Sequence, residues 1–271
     1  MNIILYTTLF LIGCMFGSFY TLAVHRIPKR ENITHKHSYC PKCNHKLGFL
    51  ELIPIISYIC QKGKCKNCKQ KIRVRYLVLE VLSGVLFVLF AVALKIDLYN
   101  FNWSNSVFYL FTILYLTLII LIGGIDKENR KIERPVLAYG VIISLIYIIY
   151  LYVVEKANLL RYAIYLGTFV VILILDNVTL TKYRKNSYLN GILMLIFIMA
   201  VFTGEYITIN SIIVATLAMA IYLLIHKIVD KVKNTKDTEK ILGKDIRIGY
   251  FICISNIIIF LIMTFLLNRT M

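Results

Sequence analysis

Carboxylates are scarce in this chain: 14 Asp and Glu stand against 31 Lys and Arg, which gives a formal net charge of +17. Proline is rarer, with 4 residues, and 13 glycines are too few for a collagen repeat. Because 59% of the residues are apolar, the composition also excludes intrinsic disorder. A basic soluble protein would suggest nucleic-acid binding, but a chain this apolar needs a solvent other than water. The composition therefore predicts a membrane protein.

Long apolar runs recur along the whole chain. A helix needs about 17–25 apolar residues to cross a bilayer core of roughly 30 Å. Eight runs qualify, with the sixth and seventh meeting at Glu205: 3–24, 76–94, 106–125, 136–154, 160–176, 188–204, 206–226 and 248–267. No basic residue precedes the first run, so we interpret it as a membrane anchor rather than a signal peptide. The pattern predicts an all-α polytopic membrane protein with about eight transmembrane helices.

The basic residues are distributed unevenly between the connecting segments. If 25–75 is cytoplasmic, then 126–135, 177–187 and 227–247 lie on the same side, and together these four segments hold 27 of the 31 Lys and Arg residues. The positive-inside rule therefore predicts that the N-terminus is outside and these segments are inside. The excess charge indicates topology and attraction to anionic membrane lipid, and we expect no nucleic-acid partner.

Two cysteine pairs lie in the first basic segment. We divide the chain into a first transmembrane helix (1–24), a cytoplasmic four-cysteine insert (25–75) and a seven-helix membrane domain (76–271). Paired C-x₂-C motifs are typical of a tetrahedral zinc site, and their four cysteines are Cys40, Cys43, Cys65 and Cys68. Zinc would supply the folding free energy that so small a segment lacks. Disulfides or redox-active pairs remain alternatives, although a cytoplasmic location disfavours them.

Other cysteines and histidines are weaker candidates. His35, His37 and His45 lie in the insert and are alternative metal ligands, but four sulfurs already complete a tetrahedral site. The three remaining cysteines lie in apolar sequence, and we predict that they are packing residues: Cys14, Cys60 and Cys253.

A few acidic residues lie where predicted spans meet the cytoplasm. An ionisable group at membrane depth is a functional hypothesis by default. Two aspartates held close together cannot both ionise, so one can activate a water while the other polarises a peptide carbonyl. Asp126 and Asp245 are our candidate pair for this peptide hydrolysis. Solvated interfacial carboxylates are one alternative; a small transporter with a proton path through Asp126, Asp176 and Glu80 is another.

The motifs of residues 13–84 resemble those of the type IV prepilin peptidases, bacterial membrane aspartic peptidases of the GxGD type. The motifs that carry the resemblance are Gly17-Ser18-Phe19, Arg26-Ile27-Pro28, the two cysteine pairs, Leu52 to Tyr58, Arg75-Tyr76 and Glu80. Eight spans with a cytoplasmic insert after the first also match that family. The resemblance implies that residues 76–271 form the peptidase domain.

The family also implies the chemistry. By position, Asp126 and Asp245 correspond to its two catalytic aspartates. The implied substrates are type IV prepilins or pseudopilins, cut at the cytoplasmic face of the bacterial inner membrane. Members with the four-cysteine insert often also methylate the new N-terminus with S-adenosylmethionine. Because Asp245 lacks the glycines of a G-x-G-D motif, the alternative is a weakened or inactive assembly protein of a pilus, secretion or DNA-uptake system.

Overall fold

The computed structural model describes residues 2–33, 37–40, 42–99, 102–158, 160–180, 187–232 and 247–267. Across these ranges the regular structure is helical, with two isolated bridges and no strand. The α-helices are α1 (Asn2–Arg26), α2 (Ile56–Cys60), α3 (Arg75–Ala93), α4 (Trp103–Asn129), α5 (Arg134–Val153), α6 (Leu160–Leu180), α7 (Ser187–Val232) and α8 (Ile248–Leu267). The predicted all-α class is confirmed.

The long helices coincide with the predicted spans. Among the described residues, six helices are long and apolar enough to cross a membrane, namely α1, α3, α4, α5, α7 and α8. Helix α7 breaks at Gly204, whose φ of 79° and ψ of 164° are open to glycine and hardly any other residue. This break falls where the sequence separates the sixth and seventh predicted runs. The fifth predicted run, 160–176, lies within α6. The chain is a multi-pass membrane protein.

The described chain divides into two compact units. The first comprises Met1–Ile113 with Thr264–Met271, and α1 packs on α3 within it. Glycine makes this contact close: a Cβ on Gly13 would lie 2.7 Å from the Cα of Gly84, and one on Gly17 would lie 2.7 Å from the Cα of Glu80. Small residues allow such backbone approach between membrane helices.

The second unit, Leu114–Met263, has an aromatic and polar core. The ring of Phe202 stacks between Tyr115 and Tyr147, with ring centroids 4.9 Å and 5.0 Å away. The Tyr115 hydroxyl donates to Asn256 Oδ1 at 2.6 Å, and Asn256 Nδ2 donates to Ser211 Oγ at 3.2 Å. These three buried polar side chains thus satisfy one another, as a bilayer without water requires.

The α1–α3 contact can be tested by overpacking. We expect Gly13→Leu to destabilise the protein by about 1–3 kcal/mol, because the new side chain would meet the backbone of Ser83 and Gly84. Thermal unfolding in detergent measures the effect. Gly167→Leu is the matched control, since a Cβ at Gly167 meets nothing within 4 Å. Equal melting temperatures for the two variants would contradict this packing.

Candidate active site and metal centre

The four cysteine sulfurs of the insert converge on one point. All of them lie within 4.8 Å of one another, with 3.8 Å between Cys40 Sγ and Cys68 Sγ and 3.9 Å between Cys43 Sγ and Cys65 Sγ. A tetrahedral site with Zn–S bonds of about 2.3 Å has sulfur–sulfur edges of about 3.8 Å. The predicted cysteine cluster is therefore formed, and it could hold a metal ion.

The two cysteine pairs lie in two separate backbone turns of the same conformation. In the first turn Cys40 N–H donates to His45 O at 2.9 Å and Asn44 N–H donates to Cys40 O at 2.9 Å. In the second, Cys65 N–H donates to Gln70 O at 2.9 Å and Lys69 N–H donates to Cys65 O at 3.0 Å. Asn44 and Lys69 also share a positive φ, of 54° and 58°. The cluster is thus built from two copies of one turn, and the structural repeat follows the repeated C-x₂-C motif of the sequence.

Two thiols of the cluster, Cys43 and Cys68, differ in acidity. The backbone N–H of His45 lowers the pKa of the Cys43 thiol, and Asn67 Nδ2 also approaches this sulfur, at 3.7 Å. The backbone N–H of Gln70 acts in the same direction at Cys68, but desolvation and the other sulfurs outweigh it and raise the pKa of Cys68 to about 11. Four crowded thiolates repel one another, and a bound cation would relieve that repulsion.

The weaker candidates have other surroundings. His45 Nε2 lies 3.3 Å from Glu51 Oε2, so this histidine pairs with a carboxylate and is not part of the sulfur cluster. Cys14 and Cys253 are buried, as predicted for packing residues. Cys60 is exposed; the packing prediction is wrong there, because the short helix α2 leaves that side chain uncovered.

Glu80 fixes a strained turn of the insert. It is buried in α3, and its Oε2 accepts the N–H of Ile55 at 2.8 Å. Ile55 has φ 63° and ψ −55°, and Ile56 N–H donates back to Pro54 O at 2.6 Å, which makes a γ-turn. A β-branched residue rarely adopts positive φ. The Glu80 carboxylate therefore helps to hold a backbone conformation that the local sequence disfavours.

A cavity of about 560 Å³ opens beside this turn, within the first unit. It is lined by α1, α3 and the insert, and both polar and apolar side chains face it. The charged or aromatic lining residues are His25, Arg26, Tyr39, Lys42, Glu51, Tyr58, Lys71, Arg73, Arg75, Tyr76 and Glu80. Its volume is that of a typical small-molecule site.

Asp126 lies near the C-terminal end of α4, within the second unit. Its side chain is fully buried, at 0% exposure. Its Oδ2 accepts the N–H of Tyr250 at 2.8 Å, a donor in the first turn of α8 that has no partner within its own helix. Its Oδ1 is also buried and accepts no hydrogen bond from any described residue. One oxygen is thus fixed by the backbone, while the other is left available.

Other groups surround this carboxylate. A Cβ on Gly249 would lie 3.1 Å from Asp126 Oδ2, so glycine leaves the room that the carboxylate occupies. The hydroxyl of Tyr188, at the start of α7, lies within hydrogen-bonding reach of the Asp126 carboxylate. The guanidinium groups of Arg130 and Arg247 interact with it electrostatically. Tyr188 and Gly249 belong to no recognised sequence motif, so only the tertiary structure identifies them as neighbours of Asp126.

The other candidate acids are described less fully. Asp245 lies outside the described residues, so its pairing with Asp126 stays a prediction. Asp176 lies in α6, but its side chain is also outside the described part of the chain. Glu80 belongs to the first unit.

Residues 11–94 match the family described as the Bacterial Peptidase A24 N-terminal domain. The predicted resemblance to the prepilin peptidases is confirmed. Three similar proteins, from Bacillus subtilis (strain 168), Myxococcus xanthus (strain DK1622) and Neisseria gonorrhoeae, are each named prepilin leader peptidase/N-methyltransferase. No solved structure matches the chain significantly.

The similarity covers only part of each protein. The Bacillus protein is 33% identical over 48% of this chain and 49% of its own length. The Neisseria protein is 26% identical over 49% and 54%, and the Myxococcus protein 38% identical over 29% and 24%. The chain thus spans about half or less of the length of these relatives. The family match over residues 11–94 contains the cysteine cluster, Glu80 and the residues that line the cavity.

Removal of ligands should empty the metal centre. We expect the purified protein to contain about one zinc ion per chain, and Cys40→Ser combined with Cys43→Ser to abolish that content, because two ligands are lost. Elemental analysis of detergent-purified protein measures it. Cys60→Ser, which removes an exposed cysteine outside the cluster, should leave the content unchanged. Metal retained by the double variant would refute the site.

Proposed function

We propose that this chain is a membrane aspartic endopeptidase that removes the leader peptide of type IV prepilins or pseudopilins at the cytoplasmic face. The observation that carries the proposal is the buried carboxylate of Asp126, with one oxygen fixed by Tyr250 and the other without a partner among the described residues. The printed names of the relatives supply the substrate class.

Asp245 is the second carboxylate of the proposed pair. Arg247, which interacts with Asp126, is two residues further along the chain. Because consecutive Cα atoms are about 3.8 Å apart, the Cα of Asp245 is within about 7.6 Å of that of Arg247. Chain connectivity therefore allows the two carboxylates to meet, and Arg247 would moderate their mutual repulsion.

The proposed mechanism uses the two carboxylates in different protonation states. The ionised carboxylate takes a proton from a water, which attacks the scissile carbonyl carbon, while the protonated one donates to the carbonyl oxygen. Asp126 Oδ1 is the atom available for such a proton, since Oδ2 already accepts the Tyr250 N–H. Collapse of the tetrahedral intermediate then breaks the C–N bond, and the carboxyl group that took the water's proton gives it to the leaving amine.

The distribution of basic residues supports the orientation of this site. We place the N-terminus outside the inner membrane and the 27 basic residues of four segments in the cytoplasm. Asp126 is the first residue of the second such segment and precedes all four of its Lys and Arg residues, which supports a position at the cytoplasmic interface. In the proposed organisation, 1–24 is the first span, 25–75 is a structural zinc module and 76–271 is the peptidase domain.

Loss of the buried carboxylate should stop cleavage. We expect Asp126→Asn and Asp245→Asn each to lower kcat for a membrane-embedded prepilin by roughly 10²–10⁴-fold, because an amide cannot take or give the proton. Leader removal by purified protein, followed by gel shift and mass spectrometry, measures it. Glu128→Gln is the matched control, since Glu128 is an exposed carboxylate near the same helix end.

Two results would redirect the interpretation. Wild-type cleavage by either aspartate variant would remove that carboxylate from the mechanism. If both variants restored pilus assembly in a deletion strain without any cleavage, the chain would instead be an assembly protein.

The cavity favours a second, methyltransferase function. We propose that it holds S-adenosylmethionine, which when bound supplies an electrophilic methyl group for the newly exposed amine. The residues fit such a ligand: Tyr58 and Tyr76 offer aromatic faces to an adenine, Glu80 offers a carboxylate to the cationic centre, and Arg73 and Arg75 offer guanidinium groups to the ligand's carboxylate. The volume of about 560 Å³ is sufficient.

Ligand binding tests this cavity without relying on catalysis. We expect Glu80→Gln to weaken S-adenosylmethionine binding, measured by calorimetry on the detergent-purified protein, because the cavity loses a carboxylate that faces the cationic ligand. Glu128→Gln, which lies outside the cavity, should bind as the wild type does. Equal affinity for wild type and Glu80→Gln would exclude Glu80 from the cofactor site.

A further inference from the structure

Tyr188 lies at the meeting point of three helices in the second unit. It is the second residue of α7, and its oxygen accepts the N–H of Gly249 in α8 at 3.3 Å. A Cβ on Gly249 would lie 3.1 Å from Asp126 Oδ2, so α8 brings the phenol close to the Asp126 carboxylate of α4. The guanidinium carbon of Arg130 is 6.0 Å from the centroid of the Tyr188 ring. No motif or comparison assigns a role to this tyrosine.

The direction of the hydrogen bonds follows from the donors. A backbone N–H can only donate, so the phenol oxygen is the acceptor of the Gly249 contact, and its own proton remains to be given. The Asp126 carboxylate, within reach, is an acceptor when ionised. Gly249 and Tyr250 are consecutive residues of α8. The N–H of Gly249 donates to the Tyr188 oxygen, and the N–H of Tyr250 donates directly to the Asp126 carboxylate at 2.8 Å.

We propose that Tyr188 is a positioning residue for Asp126: its hydroxyl donates its proton to Oδ2, the oxygen that also accepts the Tyr250 N–H, and so fixes the carboxylate on the first turn of α8 while Oδ1 stays available. The catalytic consequence rests on the proposed role of Asp126; the contact itself does not. Without the hydroxyl, the Tyr250 N–H would be the remaining hydrogen-bond donor to Asp126 within the described part of the chain, and the carboxylate could rotate about it.

Removal of the hydroxyl tests the proposal kinetically. We expect Tyr188→Phe to lower kcat for leader cleavage on the order of 10²-fold with little change in KM, because the substrate still binds while the carboxylate is misaligned. Tyr139→Phe is the matched control: it deletes a phenol of the same unit whose hydroxyl donates to the Leu114 carbonyl at 3.4 Å. It should keep wild-type kcat.

A chemical readout separates positioning from a merely structural role. A hydrophobic carbodiimide reacts with protonated carboxylic acids, and peptide mapping gives the labelling rate of Asp126. Because loss of a donor disfavours the ionised carboxylate, we expect labelling to rise severalfold in Tyr188→Phe and to stay unchanged in Tyr139→Phe. The other described groups near the carboxylate, Arg130, Arg247 and Cys253, are the same in both variants.

The substitution of Tyr188 by O-methyltyrosine covers the case in which the phenylalanine variant does not fold. It keeps the ring and the oxygen that accepts the Gly249 N–H, and it replaces the hydroxyl proton by a methyl group that cannot be donated. Wild-type kcat and wild-type labelling in a folded variant would overturn the proposal. If Asp126→Asn still cleaves while loss of the Tyr188 proton raises labelling, the contact stands and the proposed protease mechanism fails.

Discussion

The hydrogen bond from Tyr250 N–H to the Asp126 carboxylate joins helices that are far apart in the sequence. A carboxylate that is fully buried at the end of a membrane helix needs donors, and the first turn of a helix has N–H groups without intrahelical partners. The carboxylate at the end of α4 and the free N–H at the start of α8 therefore satisfy each other's hydrogen-bonding needs. Gly249, Tyr188 and Arg247 are arranged around this one contact, and so the geometry of the candidate active site depends on it.

The same requirement governs the rest of the second unit. Without water, each polar side chain must find a partner within the protein, and Tyr115, Asn256 and Ser211 do so in a continuous chain. Helix α7 departs from regular geometry at Gly204, where the backbone enters a region that other residues avoid.

In the first unit, a buried carboxylate has a different task. The Oε2 of Glu80 holds the positive-φ turn at Ile55, and the same side chain lines the cavity. Beside this turn lies the cavity, and beyond it two equivalent turns bring four sulfurs together. The insert has little apolar core, so its fold depends on these local hydrogen bonds and on the metal that we expect the cysteines to bind.

The sequence by itself determined the all-α class, the positions of the long helices and the grouping of the four cysteines, because hydropathy and C-x₂-C spacing are local properties. It also indicated the separation of the sixth and seventh runs, which the structure places at Gly204. Only the tertiary structure decided what surrounds Asp126, since Tyr188 and Tyr250 are 62 and 124 positions away in the chain and no periodicity links residues so distant. The tertiary structure also decided that Cys60 is exposed although its neighbours in the sequence are apolar. Burial of a residue in a short helix depends on what packs against that helix.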